Sequence, residues 1–464
     1  MLLLSQHFPP GQAAGARRWE KLARFAAERG WGLDVFTLAP EDLPAADFDR
    51  LDSLPETTRV FGIRTKEYWL SRVADRAWAS LSRWRSWTPA ADMNPDSLPG
   101  GSPVLDWVKR NEVRYRPLTL SGWLRSYHAA MEYANGAAWA DAAAQAALQV
   151  FDPALHRVVV SCGPPHMVHR SARGLARRVG LPLIVDLRDP WSHAERVHGE
   201  VASPLWFRLA ERFESRAFEQ ASLVVMNTPA AHETMREEYP GLADKLICVT
   251  NGFDDDAIPE PTHSEVFVLA CAGAIYAGRS PRNLFRAVRI VADELGLGAA
   301  HLQVELMGDF GADAIIEMSR QEGVQTLVTL IPPGSIRDVA SLLSRAAILV
   351  NLPQDSDLAI PSKIFEYMVY PSWLLALAER DSATGQILSG TAADVIHPED
   401  LEGIVRVIRR CYEAYRNGVR PTPVANHSEL GRAHQAAVLF DALEDRVGSA
   451  TGRAIGRSRE FAGS

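Results

Sequence analysis

The segment PSKIFEYMVYPSWLL, residues 361–375, is the most informative part of the sequence. It follows an apolar run, Ala346–Leu352, that predicts a buried strand, and it begins a helix with Lys363 and Glu366 three residues apart. Residues at this spacing share one face of a helix, so the ammonium and the carboxylate point the same way. In doubly wound α/β sheets, ligands bind at the carboxyl ends of the strands. The stretch therefore predicts a ligand-binding corner of a parallel sheet.

The bulk composition indicates a globular chain of about two domains. The 464 residues are 47% hydrophobic and carry a net charge of −8, a balance that argues against nucleic acid as a partner. The four cysteines have no CxxC spacing, which disfavours a disulfide framework or a structural zinc site. No apolar run is long enough to span a membrane, and the N-terminus lacks the basic region of a signal peptide. We expect a cytoplasmic protein, with peripheral attachment to the inner face of the membrane left open.

The beginning of the chain resembles the start of a Rossmann-like sheet. Met1–Gln6 and Leu33–Leu38 predict strands, and Arg17–Arg29 predicts the helix between them because its apolar residues recur at helical spacing. The loop before the helix contains Gly11 and Gly15 but is not a GxGxxG motif. By itself, this loop is as consistent with a tight turn as with a ligand-binding loop.

The same alternation of strands and helices resumes after Arg157. Four further strands are predicted, at Val158–Ser161, Leu183–Asp186, Leu223–Met226 and Leu246–Thr250. Asp186, Arg188 and Asp189 follow one another at the carboxyl end of the second of these strands. They are therefore predicted to lie at the ligand-binding edge of the sheet.

Residues 40–150 interrupt the alternation and are predicted to form a helical insertion between the second and third core strands. Seven of the twelve tryptophans lie in it. Helical patterns at Glu67–Trp84 and Gly122–Gln149 flank an exposed loop at Asn94–Ser102. Two interpretations stay open: a subdomain packed by its tryptophans, or an aromatic surface that binds an acceptor or a membrane.

A second series of strands and helices begins at Phe267, after an acidic, proline-containing linker at Asp254–Pro261. We divide the chain into an N-terminal domain at 1–258, a C-terminal domain at 259–426, and a final segment at 427–464. The final segment is predicted to form a helix to about Val447 that packs back on the N-terminal domain. A polar tail without structure is expected after it.

Four stretches in this order resemble the GT-B glycosyltransferases, in particular their retaining family 4 branch. They are HFPPGQAAGARRWEKLARFAAERGW (7–31), SCGPPHMVHRSARGLARRVGLPLIVDLRDPWS (161–192), AGAIYAGRSPRNLFRAV (272–288) and DLAIPSKIFEYM (357–368). The resemblance implies the GT-B fold, in which two Rossmann-like doubly wound domains face a cleft. It also implies that the N-terminal domain binds the acceptor and that the C-terminal domain binds a nucleotide-diphosphate sugar as co-substrate, with no other cofactor and no metal.

The resemblance assigns roles in the C-terminal domain to cations and to one carboxylate. Arg279 and Lys363, and with them Arg282, would neutralise the diphosphate leaving group at helix starts. Gly278, in the turn before the first of these helices, is also expected to bind the nucleotide-sugar. Glu366 would accept hydrogen bonds from the ribose hydroxyls. The alternative for the cations is an ordinary surface position at a helix start, and for the glutamate a salt-bridged helix residue.

In the N-terminal domain, the resemblance implies that Asp189 contacts the donor or the acceptor. The alternative for Asp189 is a helix cap in front of Pro190. Gly11 and Gly15 match the glycine loop whose backbone amides approach the sugar or phosphate. His166 and Asn251 lie on loops at the same edge of the sheet.

The chain departs from the family pattern at two places. Leu358 stands where many members have a glutamate, and Val369–Trp373 lacks the glycine that usually precedes the next strand. We expect an altered donor preference or weaker donor binding. Two other classes of function stay open: a non-catalytic GT-B-fold scaffold in polysaccharide assembly, and a GT-B-like sugar epimerase or phosphorylase.

Overall fold

The computed structural model contains two parallel β-sheets, each flanked by helices. The structure describes residues 1–13, 15–65, 107–114, 120–254, 264–275, 279–353, 357–425 and 428–460. The predicted helix at Glu67–Trp84, the predicted loop at Asn94–Ser102 and Gly278 lie outside the described residues.

The first sheet is built from the N-terminal half of the chain. The strands described in this half are β1 Leu2–Ser5, β2 Leu33–Leu38, β3 Thr58–Ile63, β4 Trp107–Lys109, β5 Val159–Gly163, β6 Leu183–Leu187, β7 Arg196–His198, β8 Leu223–Met226 and β9 Leu246–Cys248. The sheet has the order β3-β2-β1-β5-β6-β8-β9, and all of its strands are parallel. β4 and β7 form a separate antiparallel pair. Strands β1, β5 and β6 are buried along their whole length, as expected where helices cover both faces of a parallel sheet.

Strand β3 corrects the predicted boundary of the insertion. The segment TRVFGI pairs with β2 over six residues and forms the edge of the sheet, whereas the sequence placed it in a helical insertion that begins at residue 40. Its side chains are half-buried or exposed and none is fully buried, and its sequence lacks the continuous apolar run of the central strands. The prediction was wrong at this position because an edge strand buries too little surface to produce such a run.

The second sheet is built from the C-terminal half. Its strands are β10 Phe267–Ala272, β11 Leu302–Met307, β12 Val328–Ile331, β13 Ile348–Asn351, β14 Trp373–Leu377 and β15 Asp394–Ile396. They are parallel and have the order β12-β11-β10-β13-β14-β15. The order reverses between β10 and β13, so the loops that follow these two strands lie at the switch point where ligands bind in such sheets.

Helices cover both sheets. The described helices are α1 Ala16–Glu28, α2 Asp49–Asp52, α3 Arg110–Arg114, α4 Leu120–Val150, α5 Met167–Val179, α6 Pro204–Gln220, α7 Pro229–Glu238, α8 Arg282–Leu295, α9 Ala312–Gln321, α10 Ile336–Arg345, α11 Lys363–Tyr367, α12 Ala383–Leu388, α13 Leu401–Arg416 and α14 Arg432–Glu460. Within the described residues, no helix combines the length and the apolarity needed to cross a bilayer.

The last helix, α14, belongs to the core of the N-terminal domain. Leu439, Phe440 and Leu443 are fully buried and pack with side chains of β1 and α1. The helix continues to Glu460, beyond the end predicted near Val447, so the expectation of a tail without structure from that point was wrong. The chain thus crosses from the N-terminal to the C-terminal domain and returns.

The carboxyl-terminal edges of the two sheets face each other. Thr228, which follows β8, donates a hydrogen bond from its hydroxyl to the carbonyl of Leu358 at 2.6 Å. The backbone amide of Asp357 donates to the Glu195 carboxylate at 2.7 Å. Since Leu358 and Asp357 follow β13, these contacts join the loops at the ligand-binding edges of both domains.

Candidate functional site

Helix α11 holds Lys363 and Glu366 at the surface that faces the N-terminal domain. The Lys363 ammonium donates to the Glu366 carboxylate at 2.8 Å, and the two side chains are 29% and 30% exposed. The opposite side of the helix is anchored by Tyr367, which is fully buried and exchanges hydrogen bonds with the backbone of Ala272 at 2.7 and 3.1 Å. The end of β10 therefore fixes the direction in which the pair points.

Glu366 is also contacted from the other domain. Its second carboxylate oxygen accepts a hydrogen bond from the guanidinium of Arg17, in the first turn of α1. The sequence did not identify Arg17, because its partner is 349 residues away. A signal was present, however: cations in the first turn of a helix oppose the helix dipole, and this turn contains no acidic residue.

Arg279 and Lys363 approach the same turn after β10. The guanidinium of Arg279 donates to the carbonyl of Ala274 at 3.4 Å, and the Lys363 stem passes close to Gly273. Gly273 has a φ of +136°, a backbone conformation that favours glycine. The turn thus brings together two of the cations that the sequence predicted for the diphosphate.

Arg282 is engaged within the C-terminal domain. Its guanidinium forms an ion pair with Glu322 and donates to Gln321 at 3.2 Å, at the end of α9. In this conformation, the side chain is committed to these partners rather than to the turn that Arg279 and Lys363 share. Its role as a donor ligand stays a prediction.

The N-terminal wall of the cleft is organised by a buried ion pair between Arg18 and Asp186. The guanidinium donates to both carboxylate oxygens at 2.9 and 3.0 Å. The Trp19 indole donates to the same carboxylate at 2.7 Å. Arg18 also donates to the side chains of Asn227 and Asn251 at 3.2 and 3.4 Å. These contacts place Asp186 and Asn251 in a network that joins α1 to the ends of β6 and β8.

Gly15 and the end of the Arg188 side chain approach each other closely. A Cβ atom at position 15 would overlap the Arg188 guanidinium. This guanidinium donates through Nε to the Gly163 carbonyl at 3.1 Å, and its Nη1 is buried without a hydrogen-bond partner among the described residues. Gly11, in contrast, donates its amide to the carbonyl of Phe8 at 3.0 Å, so this amide is already used inside the loop.

Asp189 lies on the wall of a cavity of about 400 Å³ in the N-terminal domain. Loops after β1, β5 and β6 line the cavity together with α4, β7 and α6. Its aromatic walls include Tyr133, Trp191 and Trp206, and the Trp191 indole donates to the Tyr133 hydroxyl at 3.1 Å. His166, which also lines the cavity, stacks on Trp191 with 5.0 Å between ring centroids.

Burial shifts the pKa of three titratable side chains of this cavity in the direction that favours the uncharged form. Burial, with a smaller contribution from Arg188, lowers the pKa of His7 to about 4. Burial also lowers the pKa of His166 well below its usual value and raises the pKa of Glu132. Across the described ranges, no three His, Cys, Asp or Glu side chains are arranged to hold a metal ion.

Two facing Rossmann-like domains, with the carboxyl edges of their sheets across a cleft, define the GT-B class of fold. Solved structures of that class match the chain along nearly its whole length. Anabaena HepE, determined in complex with UDP-glucose, has a TM-score of 0.53 and 13% identity, and the match covers 99% of each chain. Sucrose-phosphate synthase of Thermosynechococcus elongatus has a TM-score of 0.53 and 11% identity, and the match covers 100% of this chain and 99% of that one.

A further similar structure is the N-terminal domain of Candida albicans trehalose-6-phosphate phosphatase. It has a TM-score of 0.60 and 11% identity, with 96% of each chain covered. No protein-family model matches the chain, and no curated protein sequence matches it either. The predicted GT-B fold is therefore confirmed, whereas membership of the family 4 branch stays a prediction.

Proposed function

We propose that this protein is a glycosyltransferase that moves a sugar from a nucleotide-diphosphate sugar to a glycan, a lipid-linked acceptor or a small molecule. The observation that carries the proposal is the contact between Lys363 and Glu366 on α11, at the switch point of the C-terminal sheet and opposite the N-terminal domain. A carboxylate can accept hydrogen bonds from both hydroxyls of a ribose, and an ammonium pairs with phosphate oxygens. The complex of the structurally similar HepE with UDP-glucose supports this donor class.

The proposed transfer is metal-independent and retains the anomeric configuration. Arg279 and Lys363 neutralise the charge that develops on the diphosphate when its bond to the sugar breaks. The acceptor oxygen forms its bond to the anomeric carbon on the face that the diphosphate leaves. The proton of the acceptor hydroxyl passes to the leaving phosphate oxygen, so the products are a glycoside and a nucleoside diphosphate.

The acceptor is proposed to occupy the 400 Å³ cavity beside Asp189. Aromatic rings such as those of Trp191 and Trp206 offer flat apolar faces on which a sugar ring can stack, and Asp189 can accept a hydrogen bond from a hydroxyl group. A cytoplasmic location, with association at the inner face of the membrane for a lipid-linked acceptor, is part of the proposal.

Isothermal titration calorimetry with UDP-, GDP- and dTDP-sugars tests the donor assignment. At least one of them should bind, and Glu366→Gln should weaken that binding by roughly 10- to 100-fold, the value of charge-assisted hydrogen bonds. Glu402→Gln provides a matched control, because Glu402 is an exposed helix residue of the same domain. Folded protein that binds none of the nucleotides would contradict the proposal.

A second candidate function is a non-catalytic GT-B-fold scaffold in a polysaccharide assembly complex. The observation that favours it is Leu358, which stands where many family members have a carboxylate and contributes only its carbonyl to the contact with Thr228. Binding of a nucleotide-sugar without release of nucleoside diphosphate, across a broad panel of acceptors, would favour the scaffold over the enzyme. The same assay without an acceptor detects the release expected of an epimerase.

A further inference from the structure

Arg17 reaches across the cleft although it belongs to the N-terminal domain. Among the described residues, its only ion-pair partner is Glu366, and the two side chains are 34% and 30% exposed. Arg17 and Lys363 hold opposite oxygens of this one carboxylate. Two cations from different domains therefore meet at the residue proposed to bind the ribose.

Arg17 lies among other positive charges at the start of its helix. The guanidinium extends from the first turn of a 13-residue helix, where the dipole is positive and no acidic residue is present. Arg18 follows Arg17 in the chain, and Arg432 lies near both of them. The pKa of Arg432 is lowered mainly by its burial and further by the positive charges of Arg18 and Arg17. Arg18 pairs with Asp186, and Arg432 pairs with Asp254. Arg17 and Lys363 both pair with the single carboxylate of Glu366.

We infer that Arg17 is a binding residue for the diphosphate of the donor, contributed by the N-terminal domain. The inference rests on the proposed function, because it requires a nucleotide in the cleft. When the ribose hydroxyls take the oxygens of Glu366, Arg17 and Lys363 are both released. Each then pairs with phosphate oxygens, which offer a guanidinium two parallel hydrogen bonds.

This exchange has an electrostatic consequence. Without a nucleotide, one carboxylate offsets two cations, whereas a diphosphate brings at least two negative charges between them. Donor binding therefore replaces a direct contact between Arg17 and Glu366 with a contact of both domains to the same ligand. Arg17 would thus position the diphosphate from the side opposite to Lys363.

The test is calorimetric titration of the full-length protein with a nucleoside and its mono- and diphosphate, such as uridine, UMP and UDP. The nucleobase of this series is chosen as the one whose diphosphate the unaltered protein binds most tightly. Arg17→Gln should weaken binding of the diphosphate by about 10- to 100-fold and should not weaken binding of the nucleoside, whose ribose then finds Glu366 without this partner. It should also reduce the dependence of diphosphate affinity on salt, whereas Arg17→Lys should restore part of the affinity.

Arg24→Gln is the matched control, because Arg24 lies on the same helix and pairs with Glu28 within it. It should bind every nucleotide as the unaltered protein does. Equal or tighter diphosphate binding by Arg17→Gln would overturn the inference, since Arg17 would then only cover Glu366. That result leaves the proposed function intact, whereas an unaltered protein that binds no nucleotide overturns both.

Discussion

The two walls of the cleft differ in the burial of their main ion pair, which lies inside the domain on the N-terminal side and at the surface on the C-terminal side. Arg18 and Asp186 are 3% and 0% exposed and are held by several additional hydrogen bonds. Lys363 and Glu366 are 29% and 30% exposed and depend mainly on each other and on Arg17. The same types of charged group therefore have different surroundings on the two walls.

This difference indicates how each wall contributes to the site. Removing one partner of a buried ion pair leaves an uncompensated charge and is strongly destabilising, so the N-terminal network fixes the shape of its wall. Exposed ion pairs contribute little to stability, so the C-terminal pair can change partners at small cost. We therefore expect substitutions in the N-terminal network to impair folding, and substitutions on α11 to impair binding while folding is preserved.

The largest effect is expected for Asp186→Asn. The free energy of unfolding, measured by urea denaturation, should fall by about 3–5 kcal/mol because Arg18 remains buried without its counter-charge. Glu41→Gln removes an exposed partner of Arg64 in the same domain and should leave unfolding unchanged. Equal stability of the two variants would remove the distinction between the walls.

A smaller effect, and of a different kind, is expected for Lys363→Gln. The free energy of unfolding should change by less than about 1 kcal/mol, whereas the affinity for a nucleoside diphosphate should fall by roughly 10- to 100-fold. Lys245→Gln is the control, because Lys245 is also partly exposed and donates to the Glu219 backbone carbonyl of the N-terminal domain. A large loss of stability in Lys363→Gln with unchanged affinity would reverse the comparison.

Gly15→Ala tests the close approach of Arg188 to position 15 in the N-terminal wall. The added methyl group meets the Arg188 guanidinium, the end of a flexible side chain that can move aside, so the free energy of unfolding should fall by no more than about 1 kcal/mol. Gly174→Ala, in α5, places its methyl group in open space and should not destabilise the protein. If Arg188 causes the clash, Arg188→Ala should abolish the cost of Gly15→Ala in a double-mutant cycle.

The smallest expected effect is a dependence of stability on pH that originates at His7. Its pKa is lowered to about 4 in the folded protein, so the unfolded chain binds a proton first as the pH falls below about 6.5. The contribution of neutral His7 to the free energy of unfolding is fully present above that pH and is lost as the pH falls toward 4. Between pH 7 and pH 6 the loss is about 0.7 kcal/mol, and the pH dependence of unfolding should be shallower in His7→Gln by that amount. Identical pH profiles would show that the environment of His7 does not favour the neutral form.

Local sequence patterns were sufficient for the sheet strands buried on both faces and for the pair on α11. Lys363 and Glu366 are three residues apart, so helical geometry alone brings them together. Strand β3 was missed because its half-exposed side chains produce no apolar run. The partially buried edge of a sheet is defined by its pairing with a neighbour, which a single segment does not reveal.

The cross-domain features could not be predicted from sequence for a different reason. Arg17 and Glu366 are 349 residues apart, and no local period connects them. The cavity beside Asp189 is lined by loops and helices from several parts of the N-terminal half. Such a site forms only when the order of the strands brings distant segments together. Its residues can therefore be proposed from their chemistry, but their proximity cannot be predicted from their spacing in the sequence.

The packing of α14 has a consequence for the order in which the protein matures during synthesis. Leu439, Phe440 and Leu443 complete the core around β1 and α1, yet they leave the ribosome after the whole C-terminal domain. Although its strands are made first, the N-terminal domain therefore finishes folding last. Until then its apolar surface is exposed, so a chain truncated after residue 431 should carry a folded C-terminal domain beside an N-terminal domain dependent on chaperones.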